Sequence, residues 1–95
     1  MTAAESMKPE EKVVNNPEKH QFEIQLGEEL GLLTYREHGA QIVLMHTEVP
    51  ESCRGRGFAD KLAKAALEYA KQNNLAVVPS CRFVRAYLKR HPDAL

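Results

Sequence analysis

The sequence predicts an α/β domain, a mixed sheet in which three antiparallel strands lead into a βαβ unit closed by a C-terminal helix. Three observations predict it. Residues 21–26 alternate polar and apolar, and strand-like runs continue to residue 49. The hydrophobic period then becomes helical over residues 57–73. A short apolar run at 76–79 follows, so strand, helix and strand form a crossover unit with parallel strands and a right-handed connection. At 95 residues and 43% hydrophobic, the chain suits one domain with a small core.

Residues 1–20 are polar, acidic and Pro-containing, without a hydrophobic period. They are expected to be a disordered tail, leaving 21–95 as the domain. Gln21-Phe22-Glu23-Ile24-Gln25-Leu26 is a half-buried strand. Residues 30–36 form a second strand, ended by the turn signal His38-Gly39. Residues 40–49 form the third; Ile42, Val43, Leu44 and Met45 make it the most apolar and place it centrally. Short turns between the three read as an antiparallel meander.

Pro50 ends that strand. Ala59, Leu62, Ala63, Ala66, Tyr69 and Ala70 then recur at helical spacing, with Asp60, Lys61, Lys64, Glu68 and Lys71 on the other face. Asp60 and Lys64 are set for an i, i+4 ion pair, and Asn73-Asn74 ends the helix. Ala76-Val77-Val78 is a buried strand. Ser80 is the expected N-cap of the last helix, whose apolar stripe is Phe83, Val84, Tyr87 and Leu88. Lys89, Arg90 and His91 suit its C-terminal dipole, and Pro92 stops it.

The net charge is zero but segregated. Residues 1–29 hold seven acids against three lysines, and residues 30–95 hold six acids against ten bases. A basic half suits a polyanionic ligand, or is simply a solvated surface. Cys53 and Cys81 are too few for a disulfide framework and have no metal-type spacing. No apolar run approaches a membrane span, and no signal-peptide pattern opens the chain. An intracellular, cytoplasmic location is expected, with no metal and no membrane partner.

The loop from Glu51 to Ala59 joins a strand to a helix N-terminus. The first turn of a helix presents unpaired N–H groups and a partial positive charge. Gly55 and Gly57 let an anion approach the backbone, and Arg54 and Arg56 add charge. The result is an anion site suited to a pyrophosphate. A dinucleotide fingerprint is excluded because position 60 is Asp where its third glycine belongs, and the P-loop pattern is absent.

Arg54-Gly55-Arg56-Gly57-Phe58-Ala59 matches the R-x-x-G-x-G/A signature of the GNAT superfamily of acetyl-CoA-dependent N-acetyltransferases. With His46-Thr47-Glu48-Val49-Pro50, Val78-Pro79-Ser80-Cys81 and Arg90-His91-Pro92, the chain resembles the compact NATD1-like subgroup over about residues 22–95. The resemblance implies a minimal GNAT fold and acetyl-CoA as cofactor. The pantetheine arm would lie beside Thr47-Glu48-Val49, entering where the parallel strands splay near Val49 and Pro79. The pyrophosphate would take the amides of Arg54, Gly55, Arg56, Gly57, Phe58 and Ala59, with Ser80 and Cys81 as further contacts. It also implies an amine acceptor. Only about 20 polar residues precede Phe22, where full GNAT domains carry helices that wall the acceptor site. The cleft is therefore expected to be open, suiting a large acceptor such as a protein amine, in a monomer or weak dimer.

Four side chains are candidates for catalysis. Glu48 ends the strand where GNAT bases often sit and would act through a water; otherwise it is a solvent-facing carboxylate. His46 shares its face and is of a residue type suited to proton transfer, or simply packs against the loop. Cys81 lies at a helix N-terminus near Arg82 and Arg85, which favours thiolate. It is a nucleophile, a cofactor contact or a core residue. Tyr87 holds the place of the GNAT tyrosine acid in N-x-x-A-x-x-x-Y, although Ser80 and Phe83 replace the other two signature residues. It equally suits the core. Two other functions fit the same residues: a module that binds acetyl-CoA or CoA without turnover, and a nucleic-acid-binding domain using Arg82, Arg85, Lys89 and Arg90.

Overall fold

The computed structural model describes residues 12–95. Its five strands form one sheet in the order β1 (Val13–Asn16), β2 (Gln21–Leu26), β3 (Glu29–His38), β4 (Gln41–Glu48) and β5 (Ala76–Pro79). Neighbours pair antiparallel except β4 and β5, which are parallel. Helix α1 (Phe58–Gln72) connects β4 to β5, and α2 (Arg82–Arg90) follows β5. The meander, the βαβ unit and the closing helix are those the sequence predicts.

Period-2 alternation gives the sheet one apolar face. Phe22 and Ile24 of β2, Leu33 and Tyr35 of β3, and Ile42 and Leu44 of β4 are all buried on it. They join one core cluster with Leu62, Ala63, Ala66, Leu67 and Ala70 of α1 and with Val84 and Tyr87 of α2. Away from the loop end, the Tyr69 hydroxyl donates to the Glu37 carboxylate at 2.7 Å. Accepting from the phenol, that carboxylate pushes Tyr69 up to about 12, and burial adds to the shift.

Five expectations need correction. The tail expected over residues 1–20 contains a strand: Val13, Val14, Asn15 and Asn16 pair with Ile24, Glu23, Phe22 and Gln21. Two valines are too short a run to show a period. The strand is held instead by its ladder and by polar contacts, Tyr35 Oη to Asn15 Oδ1 at 2.7 Å and Asn16 Nδ2 to Glu23 Oε2 at 3.1 Å. Residues 1–11 of that expected tail lie outside the described residues. With β1 added, β3 rather than β4 is the middle strand.

Ser80 is not the N-cap of the last helix. Cys81 holds that place without a side-chain cap, because its N–H is drawn to Leu44 O at 2.9 Å and delays the helix by one residue. Phe83 is not on the buried stripe; it is 51% exposed. Asp60 bonds Arg90 of α2 rather than Lys64, since a bidentate guanidinium is the stronger partner for a carboxylate.

Candidate functional site

Strand β4 changes character along its length. Over residues 41–44 it pairs with β3 on one side and β5 on the other. β5 ends opposite Leu44, where the Cys81 N–H closes the ladder. Beyond Leu44 the strand keeps only its β3 neighbour. Its register slips at the same point: Tyr35 faces Leu44 and Thr34 faces His46, leaving Met45 as the extra residue of a β-bulge. In an unbroken strand His46 and Glu48 would point inward with Ile42 and Leu44. The bulge reverses that phase. Thr47 turns inward and is 5% exposed, while His46 and Glu48 project together into solvent. Their side chains are 63% and 65% exposed, with His46 Nε2 3.8 Å from Glu48 Oε1.

The loop after β4 carries the open amides. Arg54 N donates to Glu51 O, and Lys61 N makes the first bond of α1, to Gly57 O. None of the intervening residues, 55–60, donates its backbone N–H to a backbone carbonyl, and no side chain caps the helix. Gly55 and Gly57 have φ of +79° and +84°, a left-handed conformation that costs L side chains energy. A Cβ at either would meet nothing within 4 Å, so space stands open over the turn. Both glycines are thus required by the backbone, and both leave room for a ligand. The Arg54 side chain ties the loop to the strand, its Nε donating to Val49 O at 3.2 Å.

These elements wall a cleft of about 1190 Å³. His46, Thr47, Glu48 and Val49 line one side, with Leu30 and Leu32 of β3 beside them. Arg54, Gly55, Gly57, Phe58 and Ala59 of the turn and the start of α1 line it too, as do Phe83 and Arg90 of α2. Of the residues the sequence singles out, Arg56, Ser80, Cys81 and Tyr87 are not on this lining. The Arg56 guanidinium instead lies over the Phe58 ring, 5.3 Å from its centroid. Ser80 is exposed. Cys81 is buried behind the wall, its Sγ 3.1 Å from Thr47 Oγ1, so it meets the cleft only through Thr47. Tyr87 is buried, its ring centroid 4.3 Å from that of His91 in a tilted contact.

Sequence reading misses Glu29, Leu30, Leu32, Cys53, Asp60, Phe83 and Arg90 as lining residues. Only Phe83 carried a usable signal, as the bulkiest departure from the N-x-x-A-x-x-x-Y pattern. Arg90 donates through Nη1 and Nη2 to the two Asp60 oxygens at 2.9 and 2.8 Å. Those hydrogen bonds hold the Asp60 carboxyl below its usual range and raise Arg90 further. Among the described residues, no group of His, Cys, Asp and Glu is placed to hold a metal ion, and no helix is long and apolar enough to cross a membrane.

A bulged strand end that β5 no longer pairs and an open glycine turn thus meet in one cleft. The family model described as GCN5-related N-acetyl-transferase matches residues 21–95. The chain belongs to the GCN5-related N-acetyltransferase family. Among similar proteins in this family, Protein NATD1 of Mus musculus is 37% identical over 84 residues, covering 85% of this chain and 76% of that protein. Protein NATD1 of Homo sapiens is 37% identical over 84 residues (85% and 74%), and that of Gallus gallus 37% over 83 residues (84% and 76%). Within the GCN5-related matched span lie β2, the bulged β4, the glycine turn and both helices.

Proposed function

We propose that this family member binds acetyl-CoA in the cleft and transfers the acetyl group to an amine by direct attack. The observation that carries this reading is the pairing of two open backbone features. Residues 55–60 offer amides without backbone acceptors at the start of α1, where the helix dipole favours a pyrophosphate. Beyond Leu44, β4 has lost its β5 partner, leaving a gap in the sheet for the extended pantetheine arm.

In the reaction the amine nitrogen adds to the thioester carbonyl carbon. A backbone N–H near Val49 steadies the oxyanion. Glu48, with His46 beside it, takes the amine proton through a water. The C–S bond then breaks, and the thiolate leaves and is protonated. Cys81 bonds Thr47 just behind the cleft lining, a place from which it holds the strand end in position. The acceptor is an amine able to reach an exposed His46–Glu48 pair, as a protein amine would.

The nucleic-acid reading is weakened by how its residues are engaged. Arg85 donates to Pro79 O and Ser80 O, and Arg90 is turned to Asp60 and the cleft, so the four basic residues do not form one free basic face.

The test is a CoA titration followed by backbone amide NMR, together with thiol release from acetyl-CoA in the presence of amines. Saturable shifts at residues 54–59 and at Val49, with amine-dependent thiol release, are expected. Unchanged amides at millimolar CoA would remove the cofactor. Saturable binding without turnover by any amine would leave a CoA-binding module.

A further inference from the structure

An acidic residue stands where the proposed anion must bind. Asp60 lies in the first turn of α1, beside the open amides, and lines the cleft. Unopposed, its charge would repel a phosphate. Glu29, Glu48 and Glu51 add negative charge to the lining, against the single guanidinium of Arg54, whose Nε is on Val49 O. The compensation comes from α2. Arg90 meets Asp60 fork to fork at 2.8 and 2.9 Å.

That contact leaves Arg90 with capacity to spare. A guanidinium has five N–H donors, of which Asp60 takes two. Its Cζ lies 5.9 Å from the Tyr87 ring centroid, and Tyr87 is itself buried and in tilted contact with His91. The group is therefore oriented from two sides, yet its side chain remains 54% exposed and faces the cleft. As a helix-to-helix staple alone it would do little, because ion pairs this exposed contribute weakly to stability. As a binding group it is pre-organised, the condition under which a charged side chain adds most to affinity. Phe83, two helical turns away and so about 10 Å along α2, lines the same wall.

We propose that Arg90, oriented by Asp60 and Tyr87, binds a phosphate of the cofactor's nucleotide end, so that α2 forms the second wall of the phosphate site opened by the glycine turn. This rests on the acetyl-CoA reading above. Two phosphates of CoA share the required chemistry, the pyrophosphate and the 3′-phosphate.

Calorimetric titrations of wild type, Arg90→Met and Arg90→Lys with CoA, 3′-dephospho-CoA and pantetheine test it, with a thermal melt of each variant alongside. Arg90→Met is expected to weaken CoA at least ten-fold and leave pantetheine unchanged, with Arg90→Lys in between. A loss that persists with 3′-dephospho-CoA assigns the pyrophosphate; one that disappears assigns the 3′-phosphate. CoA affinity in Arg90→Met within two-fold of wild type overturns the proposal while leaving the cofactor reading intact. An equal loss for pantetheine also overturns it, because that marks a displaced helix. Should Arg90→Met not fold, Arg90→Lys decides alone, with wild-type affinity for CoA as the overturning result. A wild-type protein that binds no CoA overturns the underlying reading and this inference together.

Discussion

The two ends of β4 do different work with the same backbone. At the start, Ile42 and Leu44 are fully buried and the strand is paired on both sides. At the finish, after the Met45 bulge, the strand has one partner and carries two solvent-facing titratable groups. The first half is fixed by burial, the second by a register slip that only the neighbouring strand can impose. Scaffold and site are therefore separable, and substitutions at the two ends should fail in different assays.

The largest effect is expected at the scaffold end. Leu44→Ala removes a fully buried side chain and should destabilise the fold by about 3 kcal/mol, as buried Leu→Ala changes do. Urea denaturation measures it, and a loss well under about 1 kcal/mol would mean the strand is not set by burial. Glu48→Gln at the site end should leave the urea midpoint unchanged and slow acetyl transfer by about 100-fold, the low range for a lost general base. If transfer persists, Glu48 is a bystander.

Gly57→Ala joins the two ends. It forces a Cβ onto a residue at φ +84° with nothing nearby to clash, so the penalty is conformational alone, about 1–2 kcal/mol. Denaturation should register that loss, and CoA titration a weaker complex. Unchanged stability would show that the turn relaxes freely.

The smallest effects are two opposite pH limbs. Tyr69 is raised to about 12 by Glu37 near the scaffold end, so its contribution is complete below pH 10 and is lost as pH rises towards 12. Asp60 is lowered by Arg90 at the site end, so its contribution is present above the usual carboxylate value of 3.8 and is lost as pH falls below it. Melting temperature against pH should fall less steeply on the alkaline side in Tyr69→Phe and less steeply on the acid side in Asp60→Asn. The same curve in variant and wild type would show that the contact is not held in solution.

The fold was legible where a period was long enough to be seen. Helix α1 runs for 15 residues, and its Leu62, Ala63, Ala66 and Ala70 stripe announced it. β1 was not legible, because Val13 and Val14 have no period and are held by partners across the sheet. Within the cleft, the turn Arg54-Gly55-Arg56-Gly57 was visible because its glycines reflect a local backbone need.

By itself, then, the sequence determined the element order from β2 onward, the crossover, the glycine turn and, through four short motifs, the family, each of them carried by residues close together in the chain. Tertiary structure alone decided which side chains join the strand end and the glycine turn at the cleft. The Met45 bulge depends on how β4 sits against β3, and it sets His46 and Glu48 outward and Thr47 inward. Asp60 and Arg90 meet across 30 residues because α2 folds back against the start of α1. Phe83 lost its place in the core for the same reason, since the packing of α2 against the sheet and α1 buries the Val84 and Tyr87 side and leaves Phe83 at the cleft. Contacts between distant segments leave no local period, so no pattern along the chain could have shown them.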